Sequence, residues 1–140
     1  MEHFFVYSDG GSRGNPGPAA YGFVIYNNKK EKIAEGLKFL GTLTNNQAEY
    51  HGILAALSAV KQLMANSQQP IVECFLDSQL IVEQMNGRYK IKNEGLKPLF
   101  WKIRELILEL GGNVSFKHIP REENKEADKL ANEAIDKGIK

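Results

Sequence analysis

Three short apolar runs fill the first forty residues before any helical periodicity appears, and this order limits the folds open to the chain. Phe4 to Asp9 is rich in aromatic residues and halts at Gly10-Gly11, Ala20 to Tyr26 follows, and Lys32 to Leu40 comes third. Runs of that length bounded by turn residues read as strands. The first and second are separated by Gly14-Asn15-Pro16-Gly17-Pro18, dense in turn formers, and the second and third by Asn27-Asn28. Consecutive strands with such short connections must run antiparallel. The chain therefore opens with a three-stranded meander.

Helical spacing begins after it. Thr44-Asn45-Asn46-Gln47 fits a capping box, with Thr44 as N-cap, and Ile53, Ala56, Leu57, Val60 and Met64 form an apolar stripe behind it. Ile71 to Asp77 then reads as a fourth strand, Ser78 to Met85 as a short helix and Leu96 to Leu110 as an amphipathic helix stopped by Gly111-Gly112. Val114 to Ile119 makes a fifth strand, and Glu123 to Lys137 a last helix. A strand that follows a helix enters a sheet parallel to its neighbour. The expected architecture is thus mixed α/β (α+β): one five-stranded mixed sheet in the order βββαβααβα, flanked by helices, with residues 1–140 as a single domain.

Composition limits the function classes. With 42% hydrophobic and 25% charged residues, the chain matches a globular protein, and no apolar run is long enough to span a bilayer. Met1-Glu2-His3-Phe4 carries no basic leader, and Cys74 is the only cysteine, so a reducing cytoplasm is the expected compartment. Cys74 sits in an apolar run and reads as a small buried hydrophobe. The net charge of +1 is silent on partners, but from Arg88 to Arg104 six cations face one acid, Glu94. That stretch reads equally as a phosphate-facing patch or as a solvated helix face.

The chemistry shows where acids interrupt the apolar pattern. Asp9 closes the first strand in phase with Phe5 and Tyr7, and Asp77 closes the fourth in phase with Ile71 and Phe75. If those strands are parallel neighbours, their carboxyl ends lie side by side. Glu49 stands one turn before Ile53 on the stripe of the first helix, and Asp128 one turn before Ala131 on the last. Singly, each has a plain reading: turn chemistry for the strand-end aspartates, dipole complementarity or a surface charge for the helical acids. Together they would repel and raise one another's pKa, so such a group persists where a divalent cation neutralises it. An all-oxygen ligand set favours Mg²⁺ or Mn²⁺ over zinc.

Tyr7-Ser8-Asp9-Gly10-Gly11, Gly14-Asn15-Pro16-Gly17-Pro18, Thr44-Asn45-Asn46-Gln47-Ala48-Glu49, Asp77-Ser78-Gln79 and Asn124-Lys125-Glu126-Ala127-Asp128 occur in one order over nearly the whole chain. That set resembles the type 1 ribonuclease H family. The resemblance implies the ribonuclease H-like fold and endonucleolytic hydrolysis of the RNA strand of RNA–DNA hybrids. It implies Asp9, Glu49, Asp77 and Asp128 as catalytic, metal-holding acids. Two Mg²⁺ ions, with Mn²⁺ as substitute, would leave 5′-phosphate and 3′-hydroxyl products. It further implies substrate contacts from Gly11, Ser12, Asn15, Thr44, Asn45, Asn46 and Gln79, suited to reading 2′-hydroxyls across a shallow minor groove. Asn15, Asn45 and Asn46 equally suit a turn and a helix start.

Other features qualify the resemblance. Many members of that family carry a histidine ten residues before the final aspartate; here that place is His118, inside a strand-like string. Arg121, in the loop proper, occupies the place used in other branches, and is expected to carry most of the role in holding phosphate or product. The basic, tryptophan-rich protrusion of some members has no counterpart between Gly87 and Pro98, and no separate hybrid-binding domain is expected ahead of the first strand. An arginine often found before the Thr44 position is missing, with Thr42 nearby. A monomer acting on a hybrid duplex is expected. The competing readings are a non-catalytic nucleic-acid binding module and another nuclease of the same fold.

Overall fold

The computed structural model describes residues 2–64 and 69–140. Strands β1 (His3–Ser12), β2 (Gly17–Tyr26), β3 (Lys32–Leu43), β4 (Ile71–Leu76) and β5 (Val114–His118) form one sheet in the order β3-β2-β1-β4-β5. The helices are α1 (Asn45–Leu63), α2 (Gln79–Met85), α3 (Lys97–Glu109) and α4 (Lys125–Gly138), with a 3-10 turn at Arg121–Glu123. Pairing is antiparallel for β1–β2 and β2–β3 and parallel for β1–β4 and β4–β5. The expected element order and mixed sheet are the observed ones.

Several boundaries differ: β3 runs past Leu40 to Leu43, and two further differences lie near the acids. Gly10-Gly11 does not stop β1: Asp9 pairs with Gly22, and the ladder runs on to Ser12 opposite Ala19. Likewise Gly17 and Pro18 belong to β2, opposite Leu43 and Thr42. Glycine within a strand marks a close approach of another backbone. A side chain at Gly10 would meet the Ala48 carbonyl of α1, so its absence lets the helix settle on the strand. Gly22 serves the other face, where a side chain would strike Ala127 and Leu130 of α4. The pleat thus sends β1 toward α1 at Phe4, Val6 and Gly10 and toward α4 at Asp9.

The main core lies between the sheet and α1, α2 and α3. Phe4, Val6, Val72, Cys74 and Leu76 from the strands meet Ile53, Leu57, Val60, Ile81, Ile103 and Ile107 from the helices, all buried. Burial pushes the Cys74 thiol up to about 12, which leaves it an inert packing group. Tyr50 is fully buried, its hydroxyl donating to Gln84 Oε1 at 2.6 Å, which ties α1 to α2. Smaller residues, Ala20, Ala134 and Ile135, hold α4 against the opposite face. Between α2 and α3 the chain runs directly from Asn86 to Leu96, without a protrusion. No helix among the described residues is long and apolar enough to cross a membrane.

Candidate active site

The parallel register of β1 and β4 aligns Tyr7 with Phe75. Two residues further on, Asp9 and Asp77 leave the paired region at the same level. Asp77 stands one residue past β4, where Ser78 caps α2 through Ile81 N at 3.3 Å. Glu49 arrives from α1, whose start is fixed by the Thr44 capping box: Gln47 N donates to Thr44 Oγ1 at 3.2 Å and Thr44 N to Gln47 Oε1 at 3.0 Å. That places Glu49 at the start of the second turn, 4% exposed. Its Oε1 accepts the Gly10 N–H at 2.6 Å, a bond that the bare Gly10 backbone makes possible.

Asp9, Glu49 and Asp77 bring one carboxylate oxygen each within 4.8 Å of one another. Asp128, half-buried in the first turn of α4, lies outside that tight group but within hydrogen-bonding reach of Asp9. Asp9 is therefore the acid common to both sides of the cluster. The electrostatics follow from the crowding. Burial, then the charges of Asp77 and Asp128, raise the Asp9 carboxyl to about 7, against the opposing effect of a hydrogen bond from Glu49. Glu49 is raised well above its ordinary value, chiefly by burial and by Asp9. Its Oε2 is buried without a hydrogen-bond partner. A buried carboxylate oxygen without a donor, facing two more carboxylates, is the environment that a divalent cation satisfies.

The side chains expected to touch substrate fall into two groups. Asn15 and Asn45 are already engaged: Asn15 Oδ1 accepts from Asn45 N at 2.9 Å, and Asn45 Oδ1 from Ser12 N at 2.8 Å. They lock the β1–β2 loop to the start of α1. Asn46 and Gln79 make no hydrogen bond among the described residues, and Gln79 is exposed. Their amides are free. A polar groove of about 380 Å³ runs past Asp9, Gly11, Ser12, Asn45, Arg121 and Asp128. A larger cavity of about 490 Å³, walled by Phe5, Tyr7, Tyr26 and Phe75, holds none of the four acids.

His118 is the last residue of β5, paired with Leu76 and exposed, while Arg121 lines the acid groove. Part of the Arg88 to Arg104 cluster is internally engaged. Arg88 pairs with Glu83, Lys97 with Glu94, and Arg104 donates to the Met85 carbonyl while stacking over Phe100. Lys90, Lys92 and Lys102 remain exposed without an ion-pair partner among the described residues.

One buried residue of the site was not singled out from the sequence. Asn124, 1% exposed, stands at the N-cap position of α4 yet makes no side-chain cap bond. Its Nδ2 instead donates to the Ser8 carbonyl at 2.9 Å and to Asp77 Oδ2 at 3.4 Å. It pins α4 to the end of β1 and orients Asp77. An asparagine before a helix reads as a cap, and only the fold reveals the longer reach.

Residues 7–134 match the reverse transcriptase-like family model. Among curated relatives, a ribonuclease HI of Halobacterium salinarum is 41% identical over 131 residues, covering 94% of this chain and 63% of that protein. A ribonuclease H of Paracidovorax citrulli is 33% identical over 158 residues, covering 99% of this chain and 98% of that protein. The chain spans only 35% of the length of a bifunctional protein of Mycobacterium tuberculosis to which it is 39% identical. In structure it is similar to LC11-RNase H1, solved in complex with an RNA/DNA hybrid: TM-score 0.93, 44% identity, 98% of this chain and 99% of that one.

Proposed function

The chain belongs to the ribonuclease H family, and from that premise we propose that it hydrolyses the RNA strand of RNA–DNA hybrids at the Asp9, Glu49, Asp77 and Asp128 cluster. The observation that carries this reading is the convergence of three carboxylates within 4.8 Å at the open end of two parallel strands, with a buried Glu49 oxygen left unsatisfied.

Asp9, Glu49 and Asp77 would hold one divalent ion, and Asp9 with Asp128 a second. Bound Mg²⁺ or Mn²⁺ supplies the Lewis acidity for attack by water and for departure of the 3′ oxygen, giving 5′-phosphate and 3′-hydroxyl ends. The protein's own part is positioning. The Gly10 N–H keeps Glu49 turned inward, and Asn124 orients Asp77. Arg121 lines the groove, its guanidinium placed to hold the departing phosphate. Asn46 and Gln79, whose amides are unspent, and the backbone at Gly11 and Ser12 would read the 2′-hydroxyls. The chain acts as a monomeric domain on the duplex.

A hybrid labelled on either strand, incubated with Mg²⁺ or with EDTA, tests this. RNA-strand cutting that requires Mg²⁺ is expected. Cutting in EDTA, or of the DNA strand, contradicts it.

A further inference from the structure

Three of the four acids have an evident device holding them. Glu49 is fixed by burial and the Gly10 N–H, Asp77 by Asn124, and Asp9 by Glu49. Asp128 is different: it sits on the first turn of a surface helix, half-buried, outside the tight three-acid group. An aspartate so placed has rotamers that point into solvent, away from its hydrogen-bonding approach to Asp9.

Asn132, one turn further along α4, opposes this. Its Nδ2 lies 3.3 Å from Asp128 Oδ1 and 3.1 Å from the Asp128 carbonyl oxygen. The amide is itself oriented from the other side. Arg13 Nη2 donates to Asn132 Oδ1 at 3.3 Å and to the Asn132 carbonyl at 3.4 Å, and Arg13 Nη1 pairs with Asp136 at 2.7 Å. An arginine is a donor only, so it claims the amide oxygen and turns the NH₂ toward Asp128. Arg13 comes from the β1–β2 loop, four residues past Asp9. The relay therefore connects the loop of one metal-holding acid to the carboxylate of another.

We propose that Asn132, oriented by Arg13, is a positioning residue that holds the Asp128 carboxylate at the edge of the acid cluster, ready for a divalent cation. The inference rests on the metal-dependent reading given above. Asn132 and Arg13 are both exposed, so their bonds add little to stability. Their effect belongs to the neighbouring acid, much as partners behind metal ligands tune affinity elsewhere.

The test compares wild type with Asn132→Leu, Asn132→Gln, Arg13→Met, Asp128→Asn and the Asp128→Asn/Asn132→Leu double variant. Two quantities are read: the rise in Tm of the metal-free protein on addition of millimolar Mn²⁺, and the Mg²⁺ concentration giving half-maximal hybrid cleavage. Asn132→Leu should raise the half-saturating Mg²⁺ about tenfold and blunt the Mn²⁺ response. Its KM for hybrid should stay within about twofold of wild type, and its metal-free Tm within about 2 °C. Arg13→Met should shift the same way by less, and Asn132→Gln, which keeps a donor, should recover part of the loss. In the Asp128→Asn background Asn132→Leu should add nothing, because the carboxylate that Asn132 would position for a cation is gone. An unchanged cation dependence in Asn132→Leu overturns the proposal, as does an equal loss in both backgrounds or the absence of any Mn²⁺ response in wild type. A wild type that answers Mn²⁺ but cuts no hybrid rejects the functional reading instead, and the Mn²⁺ arm still decides on Asn132.

Discussion

Replacing one of the clustered acids should make this protein more stable. Asp9 is surrounded by Glu49, Asp77 and Asp128; burial, with the charges of Asp77 and Asp128, carries its carboxyl from 3.8 to about 7 against the lowering effect of a hydrogen bond from Glu49. The folded chain thus retains a proton that the unfolded chain releases above 3.8. The stability tied to that proton is complete below 3.8 and is lost as pH rises through about 7. The full displacement is worth at most about 4 kcal/mol. Water in the open groove and the fit of an amide against Glu49 reduce it, so Asp9→Asn should gain about 1–2 kcal/mol at pH 8, or about 3–8 °C in Tm. Urea unfolding of both proteins in EDTA, at about pH 5 and about pH 8, measures the difference. The gain should be larger at the higher pH. Adding Mg²⁺ at the higher pH should stabilise wild type more than the variant. A gain independent of pH, or none at pH 8, would refute the argument that acid crowding, and not packing, sets the energetics here.

Gly10→Ala should cost about 3 kcal/mol, because the new methyl meets helix backbone that cannot rotate away; urea midpoints would show it. Arg121→Ala should lower turnover about ten- to a hundredfold and His118→Ala much less, since Arg121 lines the acid groove and His118 ends a strand; steady-state rates decide. Hybrid affinity should fall with salt along a log–log slope of about −4, because Glu83, Glu94 and the Met85 carbonyl compete for Arg88, Lys97 and Arg104, and few cations remain for phosphate. Fluorescence anisotropy over a salt series gives the slope, and a value near −10 would show far more backbone contact.

The sequence exposed the fold through its periods: alternation and aromatic runs for the strands, the Ile53 to Val60 stripe for α1, and short connections for the meander. It exposed Glu49 because a charge stood where the stripe demanded an apolar residue. The strand limits at Gly10 and Gly17 were less readable. A glycine pair has the same appearance whether it ends a strand or admits a helix, and at Gly10 only the neighbouring backbone of Ala48 distinguishes the two. Asn124 and Asn132 were illegible for a related reason. Each resembles a helix cap or a surface polar residue, and its real partner, Asp77 or Asp128, is set by tertiary approach or by a rotamer that Arg13 dictates. The basic stretch was ambiguous because cation count says nothing about internal partners such as Glu83 and Glu94.

The measurement that bears most directly on the account is single-turnover cleavage of a hybrid labelled on its RNA strand, in saturating Mg²⁺, by wild type and by Asp77→Asn. Asp77 belongs to the three-acid group without being its most crowded member, so its amide should preserve the fold, checked by far-UV circular dichroism. The account predicts that the variant loses at least about a thousandfold in rate, the several kcal/mol expected when a metal-holding acid is removed. Retention of more than about a tenth of the wild-type rate in a folded Asp77→Asn protein would show that the acid cluster is not where the RNA strand is cut.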